Sequence, residues 1–132
     1  MFFIEVHQAS AGTGALWSSC AFTNDPPVSN VGWGGSAQYD NGSRPSIAIF
    51  GTTVVEVHQG QDGVGPLWYR TGTINYSTEQ FYWNPNSVQY DYGFSPSVAV
   101  DFWSGKGIEV HQASTGVGPL WQHTFTVSGQ AT

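Results

Sequence analysis

Val54-Val55-Glu56-Val57-His58-Gln59 is the middle copy of a phrase that occurs three times. The others are Ile4-Glu5-Val6-His7-Gln8 and Ile108-Glu109-Val110-His111-Gln112. The glutamates are spaced by 51 and 53 residues. Each copy is followed, after a Gly-rich gap, by Leu-Trp: Leu16-Trp17, Leu67-Trp68 and Leu120-Trp121. A phrase repeated at a near-constant interval implies repeated architecture and repeated sites.

The phrase reads as a β-strand. Alternation puts Val55, Val57 and Gln59 on one face and Glu56 and His58 on the other. The correspondence extends outward. Trp33 answers to Trp83, and Tyr39-Asp40-Asn41-Gly42 to Tyr90-Asp91-Tyr92-Gly93. Pro45-Ser46-Ile47-Ala48-Ile49 answers to Pro96-Ser97-Val98-Ala99-Val100. One period therefore holds four short runs, most of them rich in Val, Ile, Trp, Tyr and Thr and bounded by Gly, Pro, Asn or Asp. No window keeps a helical apolar period. Asp40-Asn41-Gly42 and Asp91-Tyr92-Gly93 read as reversals with Gly at positive φ. Gly63-Val64-Gly65-Pro66 and Gly116-Val117-Gly118-Pro119 read as hairpin links, and Phe22 to Asn30 as a Pro-broken loop.

Four antiparallel strands per ~50 residues is the size of a β-propeller blade. A three-repeat trefoil at this period needs more than the 132 residues present. The expected fold is all-β, a single repeat domain over 1–132 with units at 1–29 (partial), 30–74 and 75–127. That makes about two and a half blades of four strands. A ring needs roughly four to eight. The chain is therefore expected to complete a ring as a homo-oligomer or to belong to a longer protein.

Composition narrows the partners. Only 9% of residues are charged and 15% are aromatic, against about 25% charged in ordinary soluble domains. The net charge is −6, and the fixed cations are Arg44, Arg70 and Lys106. No basic stripe exists to replace counterions on a nucleic acid or to seek an anionic membrane. Cys20 stands alone, which excludes an intrachain disulfide and reads as a buried thiol. No apolar run reaches the ~18 residues of a membrane span. Met1-Phe2-Phe3 lacks a basic leader, which points to cytosolic synthesis, with non-classical release if the target is external.

Two sets of residues could carry function. Glu5/His7, Glu56/His58 and Glu109/His111 admit three readings. They could satisfy each other as buried polar groups. They could project into a groove and hydrogen-bond a sugar's hydroxyls. They could ligate a metal, although Glu-x-His alone is unspecific and no third ligand stands at a telling spacing. The second set is Trp17, Trp33, Trp68, Trp83 and Trp121, with Tyr39 and Tyr90. These rings serve either as core between units or as stacking platforms for a pyranose. Trp103 has no counterpart. The carboxylates come as equal copies rather than one unequal pair, and no nucleophile or phosphate-loop motif occurs, so an enzyme is not expected.

Val54 to Gln59, then Leu67-Trp68-Tyr69-Arg70 with Gly72, resembles a blade motif of the Photorhabdus-type (PLL-like) β-propeller lectins. So do Trp33-Gly34-Gly35-Ser36, Tyr39 to Gly42 and Pro45 to Ala48. The resemblance covers about Ile4 to Trp121. It implies a propeller binding fucose and related, including O-methylated, sugars in repeated, metal-independent sites between blades, with cell-surface glycans as partners and no cofactor. The sequence departs where Trp121-Gln122-His123 stands for Trp68-Tyr69-Arg70, and where the first copy reads Trp17-Ser18-Ser19-Cys20. A non-catalytic structural or protein-interaction propeller is the alternative.

Overall fold

The computed structural model describes residues 1–10, 14–23, 33–60, 64–114 and 118–128. They form nine strands: β1 (Phe2–Gln8), β2 (Gly14–Phe22), β3 (Ala37–Phe50), β4 (Thr53–Gln59), β5 (Gly65–Asn75), β6 (Gln80–Trp83), β7 (Val88–Val100), β8 (Lys106–Gln112) and β9 (Leu120–Thr126). No helix occurs among the described residues. Hydrogen bonding runs continuously through β1-β2-β3-β4-β5-β7-β8-β9, with β6 beside β5, and every pairing is antiparallel. The sheet is open, with β1 and β9 at its two edges.

β3 and β7 each serve two neighbours. The front of β3, through Gly42, pairs with β2, and its back, from Ser43, pairs with β4. β7 does the same between β5 and β8. The Tyr-Asp run and the Pro-Ser run are thus two halves of one strand, not two strands with a reversal between them. Asp40-Asn41-Gly42 and Asp91-Tyr92-Gly93 lie inside strands, at the change of partner. Gly42 has the expected positive φ, 152°, and Gly93 does not; in both strands the residue two places on, Arg44 or Ser95, is left-handed with φ of 52°. Its amide is met by a glutamine of the repeated phrase. Arg44 N–H donates to Gln8 Oε1 and Ser95 N–H to Gln59 Oε1, both at 2.8 Å. Gly93 has a different reason to be glycine: a Cβ there would lie 2.5 Å from the His111 ring and 2.7 Å from the Gln112 carbonyl. The histidine needs that space.

The partner changes divide the sheet into three units. Unit one is β1, β2 and the front of β3. Unit two is the back of β3, β4, β5, β6 and the front of β7. Unit three is the back of β7, β8 and β9. Phe2 of unit one packs with Val54 and Ile74 of unit two, flanked by Ile4, Phe22, Ile47 and Phe81. Val55 and Val57 of unit two pack with Val98 and Val127 beyond them, flanked by Phe50, Val100 and Phe125. The two faces of β4 therefore meet different neighbours, as its alternation requires.

The uneven spacing has a local cause. Ile47 pairs with Glu56 around the turn at Gly51-Thr52, whereas Val98 pairs with Glu109 around a turn two residues longer. That longer turn, 101–105, carries Trp103 at 86% exposure. Asp101 holds it by accepting from the Ser104 amide at 2.8 Å. The Phe22–Asn30 loop lies mostly outside the described residues, as do the centres of the three Gly-rich links.

Candidate functional site

Unit two shows what the repeated pair does when both neighbours are present. Glu56 and His58 are 0% and 1% exposed. His58 Nδ1–H donates to Glu56 Oε2 at 2.9 Å. Tyr39, reaching from unit one, donates its hydroxyl to Glu56 Oε1 at 3.0 Å. Burial pushes the Glu56 carboxyl above the usual carboxylate range, against the pull of His58 and Tyr39. The Tyr39 phenol is pushed up too, by burial first and then by the Glu56 charge.

Two residues outside the expected set complete this cluster. His58 Nε2 faces Asp40 Oδ2 at 3.9 Å, and Arg70 Nη1 reaches the same oxygen at 3.2 Å. Arg70 also donates to the Tyr39 carbonyl and, through Nε, to the Asn84 carbonyl at 2.7 Å. Burial works to raise the Asp40 carboxyl, but hydrogen bonds from Ser87, the Asn41 amide and Arg70, with the charge of His58, hold it below its ordinary value. Asp40 was visible in the Tyr-Asp repeat, and Arg70 in the Leu-Trp-Tyr-Arg phrase. Only register shows that they meet, with Asp40 between Arg70 and His58.

The aromatic residues separate by environment. Trp83 stacks on Tyr39 with ring centroids 4.5 Å apart and donates from Nε1 to Ser18 Oγ at 3.0 Å. It is the plug between units one and two. Trp33 is its counterpart, since Gly34 N–H and Asn84 N–H donate to the equivalent carbonyls of Cys20 and Thr71. Trp33 is nonetheless exposed. Trp17 and Trp68 are half-buried, each between two strands, and stand opposite His7 and His58. Trp121 stands opposite His111 on the edge strand and is exposed. Glu5 and His7 pair at 2.9 Å but on the open side of unit one, with side chains 37% and 49% exposed.

Unit three repeats the cluster with two changes. His111 Nδ1–H donates to Glu109, both buried. His123 replaces Arg70 and meets Asp91 Oδ2 through Nε2 at 2.6 Å. That hydrogen bond is the main cause holding the Asp91 carboxyl below its usual range. Tyr90 is half-buried where Tyr39 is buried, and its buried hydroxyl has no hydrogen-bonding partner among the described residues. Burial and then the nearby Glu109 charge push its phenol up, although the two groups do not meet as a hydrogen bond.

Among the described residues no indole stacks on Tyr90; Tyr69 lies tilted beside it at 6.3 Å and His123 edge-on at 5.6 Å. A groove of about 570 Å³ opens here between β5 and β9. Val55, Val57, Tyr69, Tyr90 and Phe125 give it an apolar wall. Thr71, Asn84, Glu109, His123 and Thr124 supply donors and acceptors.

No family model, curated protein or solved structure matches this chain.

Proposed function

We propose that this chain is a non-enzymatic carbohydrate-binding protein built of propeller-like blades, with a sugar site in the groove between units two and three. The observation that carries this reading is the groove beside Tyr90, whose buried hydroxyl has no hydrogen-bonding partner among the described residues. An unmade buried hydrogen bond costs about 1–3 kcal/mol, which a ligand hydroxyl relieves. The volume falls within the roughly 300–1,000 Å³ of small-ligand sites. Aromatic rings suit the apolar face of a pyranose, and the threonines, Asn84 and Glu109 suit its hydroxyls. The lectin resemblance of the repeated motifs supports fucose and O-methylated relatives as the sugars to try first.

In this reading the buried Glu56/His58 pair locks two units together rather than touching ligand. The propeller ring is completed by further copies. The apolar face of unit three, Ile108, Val110 and Leu120, is exposed. The same face of unit two, Val55, Val57 and Leu67, is buried against unit three and its approaches. A second copy offering its Phe3, Glu5 and His7 face to unit three reproduces the internal contact. Several weak sites on one assembly then gain avidity of about 10²–10⁴ on a glycan-coated surface.

A glycan array, followed by titration of the best sugar against wild type and Thr124→Trp, tests the site. Binding that Thr124→Trp removes supports it. An array with no sugar bound at millimolar concentration sinks it.

A further inference from the structure

We propose that Asp91, His111 and His123 form a binding site for a divalent transition metal, Zn(II) in the first instance, and that unit three alone carries it. One oxygen of Asp91 and one nitrogen from each histidine lie within 4.8 Å of one another. Two imidazoles and a carboxylate are a donor set suited to Zn(II), leaving a fourth tetrahedral position for water. The inference does not depend on the sugar reading.

The supporting contacts aim each ligand. His111 Nδ1–H is committed to the buried Glu109 carboxylate at 3.1 Å, so Nε2 is the nitrogen presented to Asp91, 3.6 Å away. A carboxylate behind a histidine, fixing its tautomer and orientation, is the usual outer shell of a metal-bound imidazole. The Tyr92 amide holds Asp91 Oδ1 at 2.8 Å, which turns Oδ2 toward the histidines. Metal–ligand bonds of about 2.0–2.2 Å put tetrahedral donors about 3.3–3.6 Å apart. The His111–Asp91 distance already meets that. His123 sits closer, at 2.6 Å from Asp91, so metal binding requires its half-exposed side chain to withdraw by about 1 Å.

Unit two is the internal control. There Glu56, His58 and Asp40 occupy the equivalent positions, but the fourth is the Arg70 guanidinium, 3.2 Å from Asp40. A permanent cation fills the place an ion would take, and it has no lone pair to offer. Replacing arginine with histidine at 123 removes the fixed charge and adds a donor.

The test is calorimetric titration of tag-free protein with Zn(II) at neutral pH, with Co(II) absorption reporting the ligand field. Wild type is expected to bind a single ion per chain. His123→Arg, which copies the unit-two arrangement at an exposed position, is expected to lose binding while keeping its thermal transition. Glu109→Gln is expected to weaken affinity by about 10–100-fold. Absence of Zn(II) binding to wild type overturns the proposal. So does binding that survives His123→Arg, or that is lost instead on His7→Ala.

Discussion

Tyr39 and Glu56 belong to different units and share a buried 3.0 Å hydrogen bond, whereas their counterparts Tyr90 and Glu109 share none. The same two residue types, one repeat apart, thus have opposite stability consequences. A hydrogen bond to a charged partner contributes about 1.5–3 kcal/mol. Tyr39→Phe should lose that amount in urea unfolding. Tyr90→Phe should be neutral or stabilising, because it removes a hydroxyl that nothing satisfies. Equal losses for the two variants would show that the difference between the units is not real.

The His58 and His7 imidazoles make the same contact to a glutamate at 2.9 Å, but in different surroundings. Removing His58 leaves the buried Glu56 carboxylate without the imidazole that balances its charge and with the Tyr39 hydroxyl alone, a change that costs about 3–5 kcal/mol. His7→Ala breaks a half-exposed pair and should cost about 0–1 kcal/mol. Chemical denaturation of both variants decides the point. A His58→Ala protein as stable as wild type refutes the locking role and returns that residue to the ligand-binding candidates.

Asp40 sets the acid limit. Its folded-state value lies below the ordinary 3.8, so near that pH the folded chain holds fewer protons than the unfolded one. The stability it contributes is complete above the unfolded value and is lost as pH falls through the folded value. Glu56 acts with the opposite sign: its value is raised, so its contribution is lost as pH rises from 4.5 upward. Thermal melts between about pH 4 and pH 2 should show wild type losing stability faster than Asp40→Asn. Parallel curves for the two proteins contradict the assignment.

The strands and their order were legible because the repeated phrase carries a period-2 alternation, and because hairpins leave little freedom of register. The double use of β3 and β7 was not legible. Asp-Asn-Gly advertises a turn locally, and only the pairing of Tyr39-Asp40 with β2 and Ser46-Ile47 with β4 makes it a mid-strand change of partner. The role of Gln59 was hidden for the same reason, since it caps an amide 36 residues away. Among the candidate residues, Glu, His and Tyr were found from repetition. Asp91 and His123 converge on His111 only through the registers of β7, β8 and β9, which the sequence does not display.

The exposed face of unit three predicts self-association. Leu67 is completely buried, and its counterpart Leu120 is 74% exposed beside Ile108 and Val110. Covering a Leu or Val side chain fully is worth about 1.5–3 kcal/mol, so three such residues give a second copy a substantial incentive to bind. Among the described residues β9 is an edge strand, and such a strand offers backbone groups for pairing beside them. Native mass spectrometry across a concentration series should show wild type as a discrete oligomer. Val110→Lys, which puts an ammonium in the middle of the apolar face, should shift the population to monomer without lowering the melting temperature of that monomer. A wild type that stays monomeric at high concentration rules out this face as the ring-closing contact.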